Sequence, residues 1–519
     1  MKPVQPQTPK PDKRRGIVII AVLIVVAALA LAGYHHSDMM TSEYKASGNS
    51  HRSVQARRAA ESGIHYAAAV LSDPANFAGV LNGNPWNNPA AFRDIQLPGD
   101  TKALGRFSII APPDVDGLTD STEPIFGVMD EGGKINLNAL YARTDSGQAA
   151  FEMLIKLPNM TEEIANNILA WMGIPLGTQN NGAQNDYYSG LNPPYRCKNG
   201  PLDSLDELLL VKGVTRELLY GSDSNRNGVR DGKEDDTAGF GRGWSAYLTV
   251  HSRLQNRDPQ GNPYIDINPD FGTSLQSLYD SLTQTDLSEE MIKFIIVYLQ
   301  RRSSLPQAQA GDLTADEINV AGNSLKNITS IFELVNAEAS IQVPRPGGGF
   351  LNKKYTSPLK DNPTKQREEL SKLLAYCTVK KETDLPARIN INTASEAVLK
   401  TLTGITPTVG KQLTEAQIAD IIAKRPNPTA SEPPGEIYRS LAWLVSEANI
   451  DPKTMRDLEP FITTHTQVYR VQSVGYGEGK GPAVRIEAVI DTNAGRPRII
   501  AWRDLSELGK GLPSMTANP

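Results

Sequence analysis

Seventeen consecutive uncharged residues, Ile17 to Gly33 (IVIIAVLIVVAALALAG), come directly after Lys13-Arg14-Arg15-Gly16. A bilayer-spanning helix needs roughly 17 to 25 apolar residues, so this run sits at the lower limit, and Tyr34 can extend it. Residues 1–16 hold five basic residues and one acid. The positive-inside rule therefore keeps them in the cytoplasm and sends the rest of the chain across the membrane. Three readings compete for the segment. It is a secretory signal cut near Ala30-Leu31-Ala32, an uncleaved anchor, or a leader cut ahead of the apolar run, between Gly16 and Ile17.

The residues beyond the run favour the third reading. Ala56, Ala59, Ala60, Gly63, Ile64, Ala67, Ala68 and Leu71 recur at three- and four-residue spacing, the pattern of a helix with one small, apolar face. One helix is thus expected over residues 17–72, spanning the membrane over 17–34. The rest of the chain, at 519 residues with 39% hydrophobic and 21% charged, is globular and long enough for two to four structural units. A net charge of −5 gives no whole-chain attraction to nucleic acid or anionic lipid. Cys197 and Cys377 form no metal-binding spacing; a disulfide between them is left open.

Short strands are expected at Arg106–Ala111 and Pro124–Met129, ending in the turn Asp130-Glu131-Gly132-Gly133. Comparable signals return only at Tyr469–Gly475, Val484–Asp491 and Ile499–Trp502. There Val484, Ile486, Ala488 and Ile490 alternate with Arg485, Glu487 and Val489. These strands can belong to one sheet, its first part in 73–138 and its second in 466–505 with a tail at 506–519, if the α-rich region over 139–465 is an insertion.

The insertion carries an internal repeat. Ile135-Asn136-Leu137-Asn138, Ile265-Asp266-Ile267-Asn268 and Ile389-Asn390-Ile391-Asn392 open three units near 135–250, 265–380 and 389–465. In each, a Ser or Thr cap starts a helix about 25 residues on, at Thr161, Ser288 and Thr414. Second helices are expected at Ser204, Ser330 and Ser440, the first two as capping boxes. The units close at Ala246–Val250, Ala375–Val379 and Pro460–Thr464.

Between the first two units, residues 223–234 fit D-x-[DN]-x-[DN]-G-x5-E at every specified position. Asp223, Asn225 and Asn227 supply side-chain oxygens, Val229 its carbonyl, Asp231 a water-mediated contact and Glu234 a bidentate carboxylate around Ca2+, with Gly228 permitting the turn. Arg230 at position eight and the helix-poor DDTAGFGRGW beyond Glu234 point to an isolated structural loop fixing the first unit against the second. The alternative is a metal-free Asn/Gly turn.

These residues resemble a known family. RRG-IVIIAVLIVV, QARRAAESGIHYAAAVL, DEGGKINLN, SLDELLLVKGVTRELLYG and ININTAS are similar to GspK proteins, the large minor pseudopilins of type II secretion systems. Ala21 stands where most pilins carry Glu as fifth mature residue, a departure typical of that family. A carboxylate in the bilayer is costly without a partner, and a tip subunit has none above it. The resemblance implies an α+β protein: an N-terminal transmembrane helix continuing into a pilin-like head with a small antiparallel sheet, interrupted by three helix-hairpin-helix-like units. It implies prepilin-peptidase cleavage and N-methylation at Ile17, calcium in the α-domain, and a place at the tip of a periplasmic pseudopilus. Its partners would be the other minor pseudopilins, the major pseudopilin, the inner membrane and secreted cargo. The alanine stripe would be a partner surface, or else pack on the protein's own sheet.

Two other classes stay open: a membrane-anchored DNA receptor using helix-hairpin-helix amides, and a type IV pilus tip subunit. Against the first, Gly404-Ile405-Thr406-Pro407 and Gly213-Val214-Thr215 lack the second glycine that exposes successive amides. An enzyme is not expected. The six histidines form no HExxH, there is no GxSxG, and Gly404 with Gly410-Lys411 misses the P-loop spacing. Intact-mass analysis of the membrane-extracted protein is expected to give a chain starting at Ile17 and N-methylated; a start at Gly33 or Met1 refutes the leader reading.

Overall fold

The computed structural model describes residues 15–98, 105–113, 125–142, 147–175, 182–230, 234, 236, 239–258, 261–301, 312–345, 347–427, 430–477, 481–493, 496–509 and 511. Helix α1, Arg15–Ser72, has 58 residues, about 87 Å at ~1.5 Å per residue. Residues 18–55 are exposed along their whole length, Leu31 by 71%. Its apolar part has a mean hydropathy of 2.5 and is long enough to cross a membrane. An uncovered apolar surface of that size calls for hydrocarbon or other apolar helices around it.

From Ala56 onward one face of the same helix is buried. Ala56, Ala60, Ile64, Ala67 and Leu71 pack on a six-stranded antiparallel sheet. Its strands are β1 (Ile95–Gln96), β2 (Arg106–Ile110), β3 (Met129–Asp130), β4 (Val468–Tyr476), β5 (Ala483–Asp491) and β6 (Arg498–Asp504). The order is β1-β2-β4-β5-β6, with β3 paired to β4 as well. Ser473 faces Ile109 on one side and Ile486 on the other. This register puts Phe107, Ile109, Val471, Gly475, Val484, Ile486, Ala488 and Ile490 on the face that meets α1. The small stripe is therefore spent on the protein's own sheet, and does not remain free as a partner surface.

Its smallness has a measurable reason. A Cβ on Gly475 would collide with the Ala56 carbonyl and the Ala60 amide, and one on Gly63 with Ser473 and Phe107. Helix and sheet touch backbone to backbone here. Residue 124 lies outside the described residues, and between Ile125 and Val128 the only ladder contact is a bridge from Ile125 to Ala111. The strand read over Pro124–Met129 thus shrinks to Met129–Asp130, because Val128 N donates to Pro85 O and Phe126 O accepts from the Asn88 amide, both of the loop at 85–88.

The insertion leaves after β3 and returns at β4. Ile135-Asn136 pairs in parallel with Leu248-Thr249, Ile265-Asp266 with Cys377-Thr378, and Ile389-Asn390 with Ile462-Thr463. The opening and closing segments of each repeat thus meet. The asparagine that ends each opening holds two other stretches at once. Asn138 donates to Leu202 O at 2.9 Å and Val250 O at 3.3 Å, Asn268 to Ile328 O at 2.8 Å and Val379 O at 3.5 Å, and Asn392 to Tyr438 O at 2.7 Å and Thr464 O at 3.3 Å.

The capped helices are α2 (Glu162–Met172), α3 (Glu289–Leu299) and α4 (Glu415–Lys424). Thr161, Ser288 and Thr414 accept from the amides of Ile164, Met291 and Gln417. The second helices are shorter than expected, Leu205–Leu210 and Ile331–Leu334 being 3₁₀ turns and Ala442–Ser446 an α-turn. Glu207 reaches back to the Ser204 amide at 3.2 Å, whereas Glu333 bonds the Thr329 amide at 3.0 Å rather than Ser330, so no capping box forms there. A hairpin, Glu338–Pro344 with Phe350–Thr356, is present that the sequence pattern does not signal. All three units share one apolar core, separate from the core under α1. Cys197 and Cys377 are both buried and free.

Gly475→Val is expected to lower stability by about 1–3 kcal/mol through overpacking, measured by thermal unfolding of the detergent-solubilised chain. Gly477→Val, where an added Cβ meets nothing within 4 Å, serves as the neutral control.

Candidate metal loop and the charged junction beside it

The turn Asp130-Glu131-Gly132-Gly133 is where the chain leaves the sheet, and each residue of it has a partner in another body. Glu131 is fully buried. Its Oε1 accepts from Arg470 Nε at 2.6 Å and lies 3.1 Å from Lys134 Nζ, while Thr249 of the first unit donates to Oε2. Arg470 Nη1 also donates to Glu487 Oε1 at 2.6 Å, and Gln472 Nε2 to Glu487 Oε2 at 3.0 Å. Burial raises the Glu131 carboxyl, but the charges of Arg470 and Lys134 outweigh it and hold the group well below the carboxylate range. Arg470 is driven upward by Glu131 and Glu487 against the opposing effect of its own burial.

Asp130 turns the other way, to the third unit. Its carboxylate accepts from Asn390 Nδ2 at 2.8 Å and from Thr393 Oγ1, and the Asn390 amide donates to Gly132 O at 2.7 Å. A Cβ at Gly133 would come within 3.1 Å of Thr393 Oγ1. The two glycines let three bodies converge on one turn.

The metal loop adjoins this junction. Asp223 and Asn227 are buried, with 4% and 3% exposure, and Glu234 with 9%. Asp223 Oδ1 and Asn225 Oδ1 both accept from the Asn227 amide at 3.0 Å, and Asp223 Oδ2 from the Gly228 amide at 2.8 Å. Glu234 closes the loop, accepting from the Ser224 amide and hydroxyl, each at 2.8 Å. Gly228 has φ +75°, and a Cβ there would strike Pro112. Burial pushes the Asp223 carboxyl up, and the nearby Glu234 charge adds to that. Asp231 lies outside the described residues. Among the described residues no three His, Cys, Asp or Glu side chains gather. What gathers instead is two carboxylates and two amide side chains, hard oxygen donors that suit Ca2+ and not Zn2+. A divalent ion among these oxygens would relieve the repulsion between the Asp223 and Glu234 carboxylates.

The structure places this loop against the sheet instead of between the first two α-units. Val229 belongs to the core under α1. Arg485 Nη2 donates to Asn225 O, and Gln472 Nε2 to Arg226 O at 3.5 Å. Neither sheet residue stands out in sequence, since both read as ordinary solvent-facing positions of alternating strands. Gly16 and Ile17 are in the first turns of α1 by backbone, and their side chains are not described.

Just beyond Gly404–Pro407, three successive amides of the third unit point the same way, but they are taken up inside the fold. Thr408 N, Val409 N and Gly410 N all donate to Asp457, at 3.0, 3.1 and 2.6 Å. An internal carboxylate thus takes the position a nucleic-acid phosphate would need.

Residues 133–220 match a family model described as Type II secretion system (T2SS), protein K. The matched stretch begins in the junction turn and ends just before Asp223. No curated protein matches the chain. Among solved structures, a chain of the crystal structure of the GspK-GspI-GspJ complex from the enterotoxigenic Escherichia coli Type 2 Secretion System aligns over 89% of this chain and 99% of its own, at 11% identity and a TM-score of 0.36.

Arg470→Met takes the paired cation from buried Glu487 and leaves Glu131 with Lys134 alone, and is expected to cost about 3–5 kcal/mol in urea unfolding. Glu131→Gln isolates the pH response. Because the folded carboxyl is depressed, the wild type's advantage over this variant is full above the unfolded value of about 4.3 and shrinks as pH falls below it toward the lower folded value. A pH-independent difference refutes the pairing.

Proposed function

We propose that the chain is a minor pseudopilin of a type II secretion system. The match of residues 133–220 to the protein K family carries the reading. The body containing that segment is joined to a long helix whose outer half is apolar and uncovered. The helix anchors the chain in the inner membrane, with residues 1–16 in the cytoplasm and the sheet and insertion in the periplasm. Prepilin peptidase removes the leader before Ile17. The exposed helix over residues 18–55 then packs with the helices of the other minor pseudopilins and the major pseudopilin, and the bulky insertion places this subunit at the tip, where it starts or caps the filament.

The anchored DNA receptor is disfavoured by Asp457 on the hairpin amides and by the net charge of −5. Ca2+ is the structural cofactor, held by Asp223, Asn225, Asn227, the Val229 carbonyl and Glu234, with Asp231 completing the loop pattern. No catalytic role is assigned to any residue.

Photo-crosslinkers at Met40 and Tyr44, both exposed, are expected to capture smaller pseudopilins in the producing cell, and deletion of the chain to stop type II export. Unchanged export overturns the function. Calorimetry with CaCl2 is expected to show binding in the range of about 0.1–1 mM for an extracytoplasmic site, weakened by Asp223→Asn; no heat in either protein overturns the cofactor.

A further inference from the structure

The outer face of the sheet, opposite α1, is polar in sequence and yet buried. Arg485 has 0% exposure, Gln472 3% and Glu487 7%. What covers Arg485 and Gln472 is the back of the metal loop. Arg485 Nη2 bonds Asn225 O, while its Nε and Nη1 have no hydrogen-bond partner among the described residues. A guanidinium that deep is costly to hold, so its one acceptor among the described residues matters. Gln472 bridges Glu487 and Arg226 O, which ties the loop to the Glu131–Arg470–Glu487 network. Asn227 faces both ways: its Oδ1 accepts from the Val229 amide at 2.7 Å and its Nδ2 donates to Gly511 O at 2.6 Å. Gly511 lies over the sheet in turn, where an added Cβ would be 3.0 Å from Ile110 and 3.1 Å from Arg485.

We propose that cation binding at Asp223, Asn225, Asn227 and Glu234 is linked to docking of the first α-unit on the outer face of the sheet, with Arg485 and Gln472 as the positioning residues that transmit it. The inference rests on the proposed calcium site. A cation that fixes the side-chain oxygens of Asp223, Asn225 and Asn227 also fixes the peptide planes between them. Those planes present the carbonyls of Asn225 and Arg226 to the sheet. Opening the interface must distort the loop, so the ion resists opening of both together, and a ligand that binds only the closed form lowers the open population by its binding factor.

Hydrogen exchange of the full chain in detergent, read by mass spectrometry in EDTA and in CaCl2, tests this. At calcium one hundred times its dissociation constant, exchange is expected to slow by up to about a hundredfold, in residues 223–230 and equally in β4 and β5. Arg485→Met is expected to keep the calcium binding heat and lose the slowing in β4 and β5; Gln472→Leu serves the same purpose if that variant does not fold. Wild-type calcium binding with protection confined to the loop overturns the linkage alone. Absence of any binding heat overturns it together with the calcium reading.

Discussion

Arg470 lies between two carboxylates from different regions of the chain, Glu131 at the exit of the insertion and Glu487 on the neighbouring strand. The whole architecture depends on that arrangement, because a large insertion splits the sheet and the chain must leave and return at one place. Backbone pairing supplies some of the answer: Glu131 N donates to Val468 O, and Tyr469 and Arg470 face Asp130 and Met129. Pairing alone does not fix the direction in which the insertion departs. The buried charges do, since Glu131 is satisfied only when Arg470, Lys134 and Thr249 all reach it. Buried ion pairs add little net stability relative to apolar packing, but a mispaired one is severely penalised. The two apolar cores on either side are separate, and the charged turn between them specifies how they join.

The sequence made one side of this legible and hid the other. An uncharged run, a stripe of small residues and strict alternation along β5 were enough to place α1 on one face of a split sheet. The same alternation says nothing of what covers Arg485, whose partner Asn225 lies 260 residues away in the chain. Nothing local to Gln472 or Arg485 signals a partner at Asn225 or Arg226. Turn chemistry was similarly short-sighted. The Ser-x-x-Glu spacing is present at both Ser204 and Ser330, yet only the first makes the box, because Glu333 also meets Arg456 and Arg301 and is drawn aside.

The repeats show what a degenerate sequence must retain. Between units the helices differ in length and type, and only the second gains a hairpin. The asparagines at 138, 268 and 392 persist because each holds the start of the second helical turn and the closing strand by a single amide. Their leading neighbours Asn136, Asp266 and Asn390 each accept from the amide two residues on, a local turn that aims the clamp. A hydrophobic residue could fill the space but could not join three backbones. This is why the motif was visible in the sequence while the elements between its copies were read only coarsely.

Two loops in the insertion present backbone amides to carboxylates, and the difference between them decides their chemistry. At Thr408–Gly410 the amides close on Asp457 from a distant helix, so donor and acceptor charges cancel within the fold and no ligand is required. At Asp223–Glu234 the carboxylates belong to the loop itself and accept from its own amides at Ser224, Asn227 and Gly228. The first loop is finished by the chain, whereas the second, on the calcium reading, is finished by an ion. Its neighbour on the sheet, Arg485, donates through Nη2 to a loop carbonyl, Asn225 O. On the calcium reading the arginine holds the loop's backbone from behind while the ion takes its side-chain oxygens.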